Sequence, residues 1–420
     1  MTTVLTAVTH LHETAVVGAV GRADGLTLVR RCADLAELLS AGAAGVARVA
    51  VVSPDLRGLD RDALRHLAGH GVRVAGVVAP EDEDGERRLR QLGVATILRP
   101  DDEPRTVGAA LAGLATATTS GAPAAPADVV PDLPEPEPEL PTPVTVVWGP
   151  TGAPGRSTVA VTLAAQLAGA GVRTLLVDLD TWGASVGQLL GMVDEAPGVA
   201  AAARASEQGT LDVPALARLA PEAMPGLRVL TGLPRADRWP ELRAGAVEDV
   251  LRLARSVADH VVVDVGFALE DDEELSYDTA APRRNAATLA ALEAADRLVV
   301  VGAADAVSLQ RLVRGVQEVS VLPSPPALVV VNKVRAGVAG PKPERAIRDV
   351  LGRFAGLEDV RMLPWAPDEC DEAVLAGRAL TEVRPRCPLT VALGLLAAEL
   401  EPRASGLRAA AGSGRRRVRV

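Results

Sequence analysis

Aromatic side chains are nearly missing from this chain: two Phe, one Tyr and four Trp make up 2% of its residues. Ring-filled cores are thereby excluded, and the cores must be built from Ala, Val and Leu. Cysteine is just as scarce. Cys32, Cys370 and Cys387 are scattered without a CxxC pair. That excludes a disulfide framework and a cysteine zinc site, and it points to a reducing, cytosolic setting. No run approaches the ~18 uninterrupted apolar residues of a membrane span. The start, MTTVLTAVTHLHETAVV, has no basic leader and is interrupted by His10, His12 and Glu13, so it does not read as a signal peptide. Positive charge is in deficit as well. With a net charge of -10, nucleic acid is not an expected partner, although a local basic patch is compatible with that total.

What is present suffices for a globular protein of more than one part. Hydrophobic residues make up 48% and charged residues 23% of 420, which is enough apolar material for real cores and enough length for two or three domains. Residues 116 to 143, TATTSGAPAAPADVVPDLPEPEPELPTP, are proline-rich, acidic and without periodicity; they read as a semi-stiff linker. The chain therefore divides into a first domain over 1–115, a linker over 116–143, a larger domain over 144–402 and a basic tail over 403–420.

Both domains alternate between strand and helix patterns. In the first, Val4–Val8, Leu26–Arg30, Val46–Val52, Val72–Val78 and Thr96–Leu98 read as strands. Helical stretches such as LAELLSAG and DALRHLAGHG separate them. Five such units imply a parallel sheet covered on both faces, most commonly in the flavodoxin-like arrangement. In the second, strands are expected at Val144–Trp148, Thr174–Val177, Leu227–Leu230, His260–Val263, Arg297–Val301 and Ala327–Val331. Their near-continuous Val/Leu runs suit strands buried on both faces. The expected fold class is α/β, with two doubly wound parallel-sheet domains.

One loop carries the chemistry. VTVVWGPTGAPGRSTVAVTLAAQLAGAG reads as strand, glycine-rich loop and helix, with Gly149 to Thr158 as the loop. Small residues such as Gly152, Ala153 and Gly155 let backbone N–H groups close around phosphates, and the helix points its positive end at them. Ser157 stands where such a loop's hydroxyl binds Mg²⁺, and Arg156 where its lysine reaches the β- and γ-phosphates. A plain glycine-rich turn is the alternative. Downstream, LLVDLD ends a strand with Asp178 and Asp180, and VVVDVG ends another with Asp264. Carboxylates at the carboxyl ends of parallel strands face the ligand crevice. There they can hold the shell of a magnesium ion and orient water.

The loop, the paired aspartates and the Asp264 strand resemble the MinD/ParA group of P-loop ATPases, whose loop is usually KGGxGK(S/T). The resemblance covers residues 144 to 400. It implies ATP and Mg²⁺ as ligands, with Asp180 positioning the attacking water, Asp178 in the magnesium shell and Asp264 in the Walker B part. It also implies that Asn332, in VVVNKV, contacts adenine, and that the loop from Pro364 to Asp368 lies beside the base. The family dimerises around its nucleotides through a signature lysine, where this chain has Thr151. Pro150 replaces the loop's first glycine, Pro154 removes a backbone donor, and Arg156 is longer and forked. These departures predict slow or absent hydrolysis.

Further segments leave open alternatives. EDDEELSYDTAAPRRN, residues 270 to 285, is either a solvated surface loop or the source of an arginine, Arg283 or Arg284, near the γ-phosphate. The first domain resembles a receiver domain without its acidic cluster. Ser53 stands at the acceptor position, Asp55 two residues on, and Arg99–Pro100 where Lys–Pro would be. The tail GSGRRRVRV, with Arg415, Arg416, Arg417 and Arg419, is a solubilising end, a contact for anionic lipid at the inner face of the cell membrane, or a nucleic-acid contact. A degenerate receiver, a linker and a MinD-like domain resemble CpaE/TadZ-type proteins. That implies a localiser for Flp-type pilus or secretion machinery; a septum-site or partition ATPase and a pseudo-ATPase scaffold are the alternatives.

Overall fold

In a computed structural model of the chain, the residues described are 1–116, 142–152, 155–192, 197–271 and 282–404. They form two α/β units, each around its own parallel sheet. The proposed linker and the basic tail lie almost wholly outside the described residues.

The first unit has five parallel strands: β1 (Thr2–Ala7), β2 (Leu26–Arg31), β3 (Val49–Val52), β4 (Arg73–Val77) and β5 (Thr96–Leu98). Their order is β2-β1-β3-β4-β5, the order of the flavodoxin-like fold. Val46–Ala47 precede β3 as connecting chain. Aspartates start the helices: Asp34, Asp60 and Asp82 each accept a hydrogen bond from a backbone N–H three residues on, at 2.8 Å, which satisfies a donor that the first helical turn leaves unpaired.

The second unit has eight strands: β6 (Val144–Trp148), β7 (Thr174–Leu179), β8 (Glu222–Met224), β9 (Leu227–Leu230), β10 (His260–Val265), β11 (Arg297–Ala303), β12 (Ala327–Val334) and β13 (Val360–Pro364). Their order is β13-β12-β11-β6-β10-β7-β9-β8. All pairs are parallel except β8 with β9. The two strands missing from the sequence reading are the two edges. β8 has three residues and no usable period. Arg361 and Pro364 interrupt the apolar run of β13, and an edge is where a strand tolerates proline.

The central strands are buried on both faces, as their Val/Leu runs require. Val144, Val146, Val261 and Val263 face one layer, and Val147, Val262, Val299 and Val330 face the other. In that second layer lies the helix Arg156–Gly169, buried along most of its length and backed by the helix Pro388–Leu400. Gln166 donates to the Thr390 carbonyl at 2.7 Å. The helix Arg156–Gly169 starts at the end of β6, where the connection to β7 and the later ones to β11 and β12 run in opposite directions along the sheet. Such a switch point is where open α/β sheets bind ligands. Truncating Leu163, which is fully buried in this helix, is expected to cost about 2–5 kcal/mol. Chemical unfolding of Leu163→Ala checks this, and a loss well below that range would contradict close packing under the site.

Candidate functional site

The glycine-rich loop joins β6 to its helix through backbone that only glycine adopts easily. Gly152 has φ +112° and Gly155 φ +91°. Space is short as well. A Cβ on Gly155 would lie 2.4 Å from the Asn332 amide nitrogen, and one on Gly152 2.6 Å from an Arg311 guanidinium nitrogen. Ala153 and Pro154 lie outside the described residues.

Arg156, the first residue of the helix, turns inward and is buried. Its guanidinium donates to the Gly149 carbonyl and to Asp180 Oδ2, both at 3.1 Å. Asp180 is fully occupied, because its Oδ1 accepts from the N–H groups of Trp182 (2.9 Å) and Gly183 (3.1 Å). Asp178 accepts from three backbone N–H groups, those of Asp180, Ser185 and Val186. Burial nevertheless pushes its carboxyl up, against the pull of those bonds.

Asp264 differs from both. Strand register sets it beside Asp178 on β7 and Val147 on β6. It is fully buried, and neither carboxylate oxygen has a hydrogen-bond partner. Burial holds its carboxyl well above the ordinary range, and the charge of Asp178 adds to this. Ser157 and Arg156 pull the other way without offsetting it. An orphaned carboxylate beside a hydroxyl at a helix start fits a hard divalent cation, which Mg²⁺ would supply while keeping waters and phosphate oxygens as its other ligands. Among the described residues, no three His, Cys, Asp or Glu side chains converge on a metal. Ser157 and Asp264 would be the holding pair, with Asp178 in the outer shell.

A cleft of about 700 Å³ opens over the loop. Thr151, Gly152, Gly155, Arg156, Ser157 and Thr158 form its floor, and Asp180, Asn332 and Pro364 line it too. Of the described residues expected around phosphate and base, all but Gly149 therefore share one cavity. Trp182, Phe267 and Trp365 also line it; Trp365 falls in the expected base-side loop without being singled out, and sequence reasoning passed over Trp182 and Phe267. Each directly follows or closely trails the carboxyl end of a strand. In a chain with seven aromatics, that placement was the available signal. Trp182 and Phe267 pack with ring centroids 5.2 Å apart. Trp365 lies under Lys333 and Arg335, at 5.5 and 5.4 Å. Lys333 is the one non-glycine residue with a positive φ among the described residues, a strained conformation of the kind that concentrates at functional sites.

Other expected residues fall elsewhere. Arg283 pairs with Asp271 on the surface, at 3.0 Å. Arg284 instead reaches the turn after Asp180, donating to the Thr181 hydroxyl at 2.9 Å and carbonyl at 3.1 Å. In the first unit, Ser53 is buried, and its hydroxyl accepts from the Thr9 N–H at 3.1 Å. Asp55 is exposed. Arg99 is held by the Val78 and Ala79 carbonyls and by Glu86. Arg415, Arg416, Arg417 and Arg419 lie outside the described residues. Among the described residues, no helix is long and apolar enough to cross a membrane.

Comparison with known proteins agrees with this geometry. Residues 145–368 match the family described as the CobQ/CobB/MinD/ParA nucleotide binding domain. The chain belongs to that family and carries the MinD/ParA ATPase fold. Among solved structures, a ParA family ATPase from Chlorobium tepidum TLS is similar, with a TM-score of 0.51 and 20% identity, over 61% of this chain and 98% of that one. The cell division ATPase MinD from Pyrococcus furiosus gives a TM-score of 0.48 at 18% identity, over 62% and 99%. An uncharacterized protein of Mycobacterium tuberculosis is 35% identical over 162 residues. That match spans 39% of this chain and 39% of the relative.

The raised Asp264 carboxyl has a stability signature. A folded-state value above the ordinary 3.8 means that the folded protein holds a proton the unfolded chain has lost. Stability without ligand then falls as pH rises from about 4 towards the folded value. Asp264→Asn removes the share of that slope that belongs to Asp264 and leaves the share of Asp178, which burial also raises. Without ligand it is expected to be more stable than wild type by about 1–3 kcal/mol at pH 8 and to show little gain at pH 4. Thermal unfolding across this range reads the difference, and an equal gain at both ends would contradict the assignment.

Proposed function

We propose that this chain is an ATP-binding, magnesium-dependent regulator of protein position, with slow hydrolysis. The observation that carries the reading is Asp264. A buried carboxylate without a partner is costly, and a cation at the mouth of a phosphate loop removes that cost. Gly149, Thr151, Gly152, Gly155, Arg156, Ser157 and Thr158 would cradle the phosphates, and Asn332 and Pro364 the base. Bound magnesium would neutralise charge on the phosphates.

The chain's own residues then divide the work. Arg156 takes a phosphate oxygen by exchanging it for one of its present partners. Asp180 thereby frees Oδ2 to accept from an attacking water, while Oδ1 stays on its turn. This exchange separates a buried ion pair, which supports slow turnover. In a second copy of the chain, Arg311 is a candidate for the charge that Thr151 does not provide. Its guanidinium lies 3.3 Å from the Thr151 carbonyl.

The cargo reading is a localiser for Flp-type pilus or secretion assembly, acting as a homodimer in the cytoplasm. It is supported by the pairing of a receiver-like strand order, in a unit with a buried Ser53 and a tied Arg99, with the ATPase fold. A septum-site or chromosome-partition ATPase is the second reading. The basic tail would add contact with the membrane surface.

Calorimetric titration with ATP and Mg²⁺ tests the binding claim. Arg156→Ala is expected to weaken affinity by about 10- to 100-fold, the loss of one charge-assisted contact worth about 1.5–3 kcal/mol. Wild-type turnover is expected below about 1 s⁻¹. No binding by wild type at millimolar ATP would sink the proposal.

A further inference from the structure

Asp180 sits in a turn that is gripped from outside the cleft. Arg284 donates to both oxygens of Thr181, and its guanidinium lies 3.8 Å from the Trp182 ring centroid. The Trp239 ring is 5.4 Å away on another side. The next residue, Asn285, accepts from the Trp182 indole N–H at 3.2 Å and donates to the Glu270 carbonyl at 2.8 Å. Two consecutive residues thus hold two consecutive residues: Arg284 holds Thr181 by hydroxyl and carbonyl, and Asn285 holds Trp182 by side chain alone. Asn285 is buried, and Arg284 is half-buried. Arg284 does not line the cleft; Trp182 and Asp180 do.

The inner side of the same turn has no slack. A Cβ on Gly266 would come within 2.9 Å of Trp182, 3.3 Å of Asp180 Oδ1 and 3.4 Å of the Thr288 hydroxyl. That hydroxyl is buried without a hydrogen-bond partner. Asp180 is therefore wedged between the strand end at Gly266 and the grip at Arg284.

We propose that Arg284 and Asn285 form a clamp that positions Asp180 for hydrolysis, with Arg284 as the positioning residue that acts through Thr181 and Trp182. This rests on the reading of the cleft as an ATP site. Asp180 Oδ2 is the oxygen that changes partner during the reaction. Oδ1 is held only by the N–H groups of Trp182 and Gly183, so the location of Oδ2 follows the turn, and the turn follows the clamp. Displacing a reacting group by about 1 Å costs on the order of a hundredfold in rate, whereas the loop's backbone donors and Ser157 reach phosphate without the clamp, which touches binding only through the bond from Arg156 to Asp180.

The test compares wild type, Arg284→Ala, Arg284→Lys and Trp182→Phe as full-length chains. Affinity for ATP with Mg²⁺ comes from calorimetry, kcat from phosphate release and folding from thermal unfolding. Arg284→Ala is expected to keep affinity within about threefold and to lower kcat by roughly 10- to 100-fold. Arg284→Lys keeps a cation over the Trp182 ring but cannot fork onto both Thr181 oxygens, so it recovers part of the rate. Trp182→Phe keeps the ring and loses the bond to Asn285, with an intermediate rate. An unchanged kcat in Arg284→Ala overturns the clamp, as does a parallel fall of affinity, kcat and thermal stability. Wild type that binds ATP without any turnover overturns the clamp and leaves the binding reading standing. Wild type that does not bind ATP overturns both.

Discussion

The ion pair between Arg156 and Asp180 joins the phosphate-loop side of the site. It ties the helix start to the turn after β7, and through the Gly149 carbonyl it ties the loop back to β6. Both partners are buried, so their attraction is little screened, and removing either would strand the other charge at a cost of about 3–5 kcal/mol. A lysine could form the salt bridge with one point charge. The forked guanidinium spans two acceptors at once, which makes this cation part of the wall of the loop and not only a ligand for it.

The three aspartates show how one sheet gives like groups different tasks. Parallel strands bring their carboxyl ends to the same edge, so Asp178, Asp180 and Asp264 arrive together whatever their separation in sequence. Their surroundings then divide them. Asp178 serves the chain itself by capping the turn at Ser185 and Val186. Asp180 shares a cation. Asp264 lies beside the Ser157 hydroxyl and within reach of the Arg156 charge, but neither of its oxygens closes a hydrogen bond. Stability is given up at that position, a common pattern where a site requires a group that folding does not.

Much of this was legible beforehand, for physical reasons. Buried parallel strands must be apolar along their length, so β6, β7, β10, β11 and β12 are visible as Val/Leu runs. The loop is visible because phosphate cradles need small residues at fixed spacing. The edges β8 and β13 were not legible, because half-exposed strands are free of that requirement. Nor was the grip of Arg284 on Thr181, which is set by how the segment after β10 comes back to the turn after β7. No local pattern records such an approach. The sequence reading left Arg283 and Arg284 as equals, and their separation into a surface pair with Asp271 and a contact to the turn after Asp180 is purely tertiary. Aromatic scarcity was the overlooked clue: apart from Trp148 in the core, rings are so few that three of them around one cleft stand out.

The strand order also constrains how the molecule comes into being. β6 and β7 are consecutive in the chain but not neighbours, since β10 lies between them and pairs with both. During synthesis both flanking strands emerge well before the strand that separates them. Direct pairing of β6 with β7 at that stage would bury the same apolar faces in the wrong order, and the growing chain would have to undo it before continuing. The strand that brings Asp264 to the loop is therefore also the strand whose late arrival decides whether the sheet assembles in register.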